Sequence, residues 1–146
     1  MKRIRPFEVF GFIIILALTV FAGVSCTKAD TDQELTGVTW VLQSYGNPDK
    51  LTTVIGDKEL TLIFNKDKQE ISGSGGINGY GGNYEVDGNK LTVSRIIHTL
   101  IASTNEDLNN QENRFFQILE SSKTFKIDGT QLTITGSQST LVFTGK

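Results

Sequence analysis

Apolar and polar residues alternate with a period of two through most of the chain after residue 36, and the alternation breaks once. A period of two places alternate side chains on opposite faces of a strand. It predicts strands at Val38–Tyr45 and Glu59–Phe64. The turns Gly46-Asn-Pro-Asp49 and Asn65-Lys-Asp-Lys68 follow them. Further strands are predicted at Gln69–Gly75, Gly79–Val86, Lys90–Ser94, Ile96–Ile101, Lys123–Ile127, Gln131–Thr135 and Ser139–Thr144. The break lies between Glu106 and Ser122, where Leu108, Phe115, Phe116, Ile118 and Leu119 recur at spacings of three, four and seven. That is one face of a helix. Thr104 or Asn105 can cap its start, with Glu106 and Asp107 in the first turn, where carboxylates meet the positive end of the helix dipole. About eight strands cannot lie in an open sheet without long exposed edges, so a small barrel with one inserted helix is expected, with an α+β arrangement as the alternative. Trp40, Phe64, Ile77, Leu108, Phe115, Leu119, Leu132 and Phe143 are the expected core.

Two stretches repeat one another. Tyr84-Glu-Val-Asp-Gly-Asn-Lys-Leu-Thr-Val-Ser94 aligns with Phe125-Lys-Ile-Asp-Gly-Thr-Gln-Leu-Thr-Ile-Thr135. Asp-Gly between alternating runs signals a tight hairpin, because glycine accepts the positive φ such turns need. Two copies do not make a solenoid or a propeller, so the repeat reads as one hairpin used twice. Between residues 72 and 84, six of thirteen positions are glycine, and Asn78, Tyr80, Asn83 and Tyr84 stand among them. A linker has no need of tyrosines, and an ordinary core strand does not tolerate that many glycines. The run is expected to be a bent hairpin with close backbone approach. Its asparagines and tyrosines form the candidate binding surface.

Residues 1–25 read as a targeting segment rather than as part of the fold. Lys2, Arg3 and Arg5 make a basic start, and Val9–Val24 carries no charge. As a helix that run is about 24 Å long, short of the roughly 30 Å hydrocarbon core, which favours a signal sequence over a permanent span. Cys26 is the sole cysteine and follows the run directly, the arrangement used when a thiol is acylated and becomes the new N-terminus. The stretch resembles a lipobox, with Gly23 where an aliphatic residue is usual. Two other outcomes fit the residues: secretion with a cut after Ser25, and an uncleaved anchor. All three place the domain outside the cytoplasm. With Thr27 rather than an acid after the cysteine, the outer membrane is the expected address in a two-membrane cell. Residues 26–35 read as the lipidated cysteine and a polar tether, and residues 36–146 as the domain.

The net charge is −2; subtracting the three positive and one negative charges of residues 1–25 leaves −4 for the rest. A mildly acidic body without a basic stripe argues against a nucleic-acid partner.

The inventory for catalysis is small. His98 is the one histidine, set among aliphatic residues, and a hydrogen-bonded structural role is expected for it. One histidine and one cysteine cannot build a conventional Cys/His zinc site. Ser74 comes nearest to a nucleophile elbow, but Ser72 stands where the first glycine belongs. The glycine run leads into a strand, not a helix, and lacks the lysine of a phosphate-binding loop. Asp57/Glu59 and Glu106/Asp107 are explained by turns and the helix start. No catalytic residue, metal or cofactor is expected.

Gly76-Ile-Asn-Gly-Tyr-Gly-Gly-Asn-Tyr84 resembles the G-C-N-x-Y-x-G-x-Y signature of the META domain, found in HslJ-type heat-shock lipoproteins. Leu35–Leu42 resembles the family's opening L-x-G-x-x-W-x-L. Ala102-Ser-Thr104 and Glu112–Leu119 resemble its A-S-T-x-M-A-C and E-x-x-F-x-x-x-L elements. The resemblance runs from about Leu35 to Phe143. It implies a compact, lipocalin-like barrel with one late helix, and a stress-related envelope lipoprotein that binds or supports another envelope component. Ile77 and Leu108 replace the two motif cysteines, so no thiol role can operate at those positions. The partners implied are a membrane, through the lipid anchor, and an envelope protein or small ligand. An inhibitor of a cell-wall lytic enzyme, inserting the Gly73–Gly82 loop, is the alternative. A hydrolase based on His98 or an acid pair is the third reading.

Overall fold

The structure is a computed structural model and describes residues 34–146. Residues 1–25, Cys26 and the polar stretch after it therefore lie outside the described residues. Among the described residues nine antiparallel strands and one complete helix follow in the order β1 (Trp40–Asn47), β2 (Lys50–Thr53), β3 (Thr61–Asn65), β4 (Glu70–Ser74), β5 (Gly79–Asp87), β6 (Lys90–His98), α1 (Glu106–Glu120), β7 (Thr124–Asp128), β8 (Gln131–Thr135) and β9 (Thr140–Gly145). From β3 to β9 each strand pairs with the next, and β1 bonds both β3 and β9, so eight strands close a ring. The expected β-barrel with one inserted helix is the fold.

Strand β2 was not expected. Lys50-Leu-Thr-Thr53 has no alternation to mark it, and all four residues are exposed. It exists because β1 runs beyond its pairing with β3, and the freed edge takes the returning chain from Ser44↔Thr53 to Asn47↔Lys50. The two predicted strands Lys90–Ser94 and Ile96–Ile101 are one strand, interrupted by a bulge where the β5–β6 register shifts between Gly81 and Asn83. Arg95 takes a positive φ of 55° at that point, and the chain leaves the sheet after His98. The polar neighbours of Leu35 place it in the tether by sequence alone. It is fully buried, and its carbonyl accepts a 3.0 Å hydrogen bond from Trp40 Nε1, so the fold reaches back at least that far.

The repeated Asp-Gly segments are equivalent hairpins. Asp87 pairs with Lys90 and Asp128 with Gln131, each across two loop residues. Gly88 and Gly129 have φ of 62° and 59°, while Asn89 and Thr130 do not take positive φ, the pattern of a II′ turn.

Inside the ring Trp40, Phe64, Tyr84, Leu132 and Phe143 are buried, and α1 closes one end with Phe115, Phe116, Ile118 and Leu119. Phe115 meets Phe143 edge-on at 6.4 Å. Asn105 caps the helix, accepting from the Asp107 amide at 3.0 Å. The ring is thinnest between β6 and β7, which share one ladder pair, Lys90↔Thr124. Two flanking bonds support it, from the Leu91 amide to the Lys123 carbonyl and from the Phe125 amide to the Asn89 carbonyl. Strand β3 fixes the two ends of the molecule. Leu60 bridges Gly75 at the helix end, and Phe64 bridges Thr36 at the other.

Candidate functional site

The glycine run does not form a projecting loop. It is the β4–β5 hairpin, and its tip is tucked under α1. Gly75 sits so close to α1 that a Cβ there would strike the Glu112 carboxylate and lie 2.7 Å from the Phe116 ring. Buried Glu112 accepts from the Ile77 amide at 3.1 Å, the Asn78 amide at 2.7 Å and Asn78 Nδ2 at 2.6 Å. Asn78 in turn holds the next loop. Its Oδ1 accepts from Thr99 Oγ1 at 2.7 Å and the Ile101 amide at 2.9 Å, and its Nδ2 donates to the Ile101 carbonyl at 3.0 Å. Helix, hairpin tip and the 99–101 loop are thus fastened by one buried carboxylate and one buried amide.

This arrangement corrects the candidate binding surface. Asn78, Tyr80 and Tyr84 are buried and only Asn83 is half-exposed, so the four do not form a surface. The Tyr80 hydroxyl donates to the Thr61 carbonyl at 2.8 Å, and burial pushes its ionisation well above the usual phenol range. Its ring packs edge-on to Phe115 and Phe116, and Tyr84 packs edge-on to Phe64 at 4.9 Å. The period of two carries the reason: Asn78 and Tyr80 point the same way, and that way is inward.

His98 is exposed, stacked on Phe116 at 4.8 Å, with Nδ1 2.8 Å from the Thr99 carbonyl. It lines a shallow depression together with Glu112, whose oxygens are already engaged by Ile77 and Asn78. Among the described residues no group of three or more His, Cys, Asp or Glu side chains is placed to hold a metal.

What the hairpin and loop do create is a cleft of about 320 Å³ at the helix end, between the 55–58 loop, the hairpin tip, the 101–103 loop and the first turns of α1. Its apolar walls are Ile55, Ile77, Ile101, Ala102 and Leu108. Gln111 is buried in its wall, and its side chain makes two hydrogen bonds to Ile55, accepting from the amide at 2.8 Å and donating to the carbonyl at 3.0 Å. Ile97, Leu100 and Ile101 are 75%, 91% and 63% exposed, and Ile101 lines the cleft. Single exposed aliphatic residues are ordinary; three within five positions, one of them in a cleft wall, are not. A second depression, lined by Glu34 and Trp40, lies at the opposite end, where the chain enters the fold.

Residues 33–146 match the model of the META domain. The chain belongs to the META domain family. No curated protein matches it. Three solved structures share the fold of this META domain. An NMR structure of a protein from Burkholderia xenovorans is 21% identical, with a TM-score of 0.65 over 80% of this chain and 86% of that one. A second NMR structure is 23% identical, with a TM-score of 0.60 over 77% and 92%. A DUF4847 family protein from Bacteroides vulgatus is 14% identical, with a TM-score of 0.54 over 78% and 96%. At these identities the likeness is one of fold alone.

Within this META domain, Ile77 and Leu108, which replace the two motif cysteines, are both half-buried and both line the cleft. They had been expected in the central core. They lie at its edge, where the hairpin tip meets the first turns of the helix. Gln111 and Glu112 were missed as buried residues. They stand three and four positions after Leu108 and four and three before Phe115, so the helical face that predicted those two also contains them.

Proposed function

We propose that this META domain is a non-enzymatic, extracytoplasmic binding module of the HslJ type, anchored through an acylated Cys26 and serving the cell envelope under stress, with the helix-end cleft and its aliphatic rim as the binding surface. One observation carries the reading. The chain enters the fold at the Thr36–Phe64 end, and the cleft with exposed Ile97, Leu100 and Ile101 lies at the Leu60–Gly75 end. A domain anchored ahead of residue 34 would hold that surface away from its own membrane, toward other envelope components. The Asn78 clamp supports the reading further, because it presents the 99–101 loop already ordered and lowers the entropy lost on binding.

The inhibitor reading loses the feature that motivated it, since the Gly73–Gly82 hairpin tip is packed under α1. The hydrolase reading has little to draw on: among the described residues no hydrogen bond joins His98 to a serine or a carboxylate.

Two variants test the proposal. Cys26→Ser should move the domain from the membrane to the soluble extracytoplasmic fraction. Leu100→Asp with Ile101→Asp should leave the anchored, folded domain at normal abundance yet reproduce the heat-stress sensitivity of a deletion strain. A double variant that protects cells as well as wild type would show that the rim is not the working surface.

A further inference from the structure

The walls of the cleft are mostly apolar, and nine of the backbone groups along them are already paired. The amides of Ile55, Gly75, Gly76, Ile77, Ile101 and Ser103 donate to Gln111, Asn78, Ser74, Glu112, Asn78 and Asn109 respectively. The carbonyls of Ile55, Ile101 and Ser103 accept from Gln111, Asn78 and Asn109. A peptide or sugar bringing its own donors and acceptors would find these nine groups taken and would lose bonds to water on entering. A hydrocarbon chain loses none. The volume sits at the small end of ligand-binding pockets, enough for part of one chain. The mouth carries Asp57 and Lys58 side by side, both exposed and of opposite sign, so it offers no net charge to select a head group.

We propose that the cleft binds the single alkyl chain of an amphiphile, reading the chain and leaving the head group in solvent. This rests on the cleft being the working surface, and it adds the chemistry of what enters. The hydrophobic contribution of each buried methylene corresponds to roughly a fourfold change in affinity. Recognition through the chain therefore predicts a steep dependence on chain length and a weak one on the head.

The test uses the full chain carrying Cys26→Ser, which removes its own acyl group from competition. Nonanoate, undecanoate, octyl glucoside and decyl glucoside, which carry octyl and decyl chains in pairs, are titrated below their micellar concentrations, following the methyl resonances of Ile55, Ile77, Ile101 and Leu108. The expected result is saturable shifts at these methyls, with decyl chains bound about fifteenfold more tightly than octyl chains. The carboxylate and the glucoside of equal length should agree within about threefold. Leu108→Asn, placing an amide in the wall, should weaken binding at least tenfold. Ala102→Trp, on the exposed loop and clear of the core, should do the same by filling the cleft. The proposal is overturned by the absence of saturable shifts, by a head-group preference above tenfold, or by binding that Ala102→Trp leaves intact. It is also overturned if these methyls shift with protein concentration alone while sedimentation reports a dimer, because the occupant is then the aliphatic loop of a second copy. If no amphiphile binds while Leu100→Asp with Ile101→Asp still abolishes stress protection, the binding-module reading stands and this ligand class falls.

Discussion

Glu112 is the side chain on which the helix end depends, and its geometry makes a conservative substitution costly. Both oxygens accept: one takes the Ile77 and Asn78 amides, the other Asn78 Nδ2. Glu112→Gln keeps the shape but replaces one acceptor with a donor, so in either orientation of the amide a donor faces a donor. Hydrogen bonds to a charged partner contribute about 1.5–3 kcal/mol each, and a loss of about 2–4 kcal/mol is expected in a denaturant melt of Glu112→Gln. Tyr80 makes a second prediction. Burial raises its ionisation above the ordinary phenol value of 10.0, so the folded state favours the neutral phenol. Its contribution is complete below pH 10 and falls above it, as the unfolded chain begins to ionise, by about 1.4 kcal/mol per pH unit. Tyr80→Phe should remove this part of the alkaline limb of the stability curve, while costing about 1 kcal/mol at neutral pH through the lost bond to Thr61. At this scale the sequence was a partial guide. Asparagines and tyrosines in a glycine run suit a binding loop and a packed hairpin equally well, and only the tertiary position of α1 decides between them.

The two Asp-Gly hairpins allow a clean measurement at the scale of the element. A Cβ on Gly88 or Gly129 would meet nothing within 4 Å, so a substitution there changes backbone strain and little else. Gly88→Val and Gly129→Val should each destabilise the fold by about 1–3 kcal/mol, the cost of putting an L-residue at a positive-φ turn position that glycine alone adopts freely, and their effects should be similar. Equilibrium unfolding of the two variants checks both the size and the equality. These hairpins were legible because Asp-Gly is a local signal. So was α1, whose spacing is local and whose cap, Asn105, was one of the two residues considered. Strand β2 and the single bulged β6 were not legible: the first depends on an edge left free by β1, the second on Gly82 allowing β6 close approach at Ser94 and Ile96. Neither cause lies within the segment it shapes.

At the scale of the whole molecule, the barrel was expected from strand count alone, because eight strands need somewhere to put their edges. The cleft was not, since Ile55, Ile77, Ile101 and Leu108 come from four separate segments and no local pattern relates them. The ring they belong to is uneven. Strands β8 and β9 pair along their length, from Gln131↔Thr144 to Thr135↔Thr140, whereas β6 and β7 share Lys90↔Thr124 and two flanking bonds. Backbone amides exchange with solvent through local openings, and those openings cost least where fewest bonds must break together. Hydrogen-exchange NMR should find the amides of Leu91 and Phe125 exchanging faster than those of the β8–β9 ladder. The segment that ends at this seam is the helix connection: the Lys123 carbonyl that receives Leu91 lies three residues beyond α1, and the start of the same helix walls the cleft. The helix α1 therefore joins the cleft wall at its start to the β6–β7 seam just beyond its end. If the proposed alkyl chain enters the cleft and shifts the start of α1, the protection of Leu91 and Phe125 is where its arrival should be felt, at a distance from anything it touches.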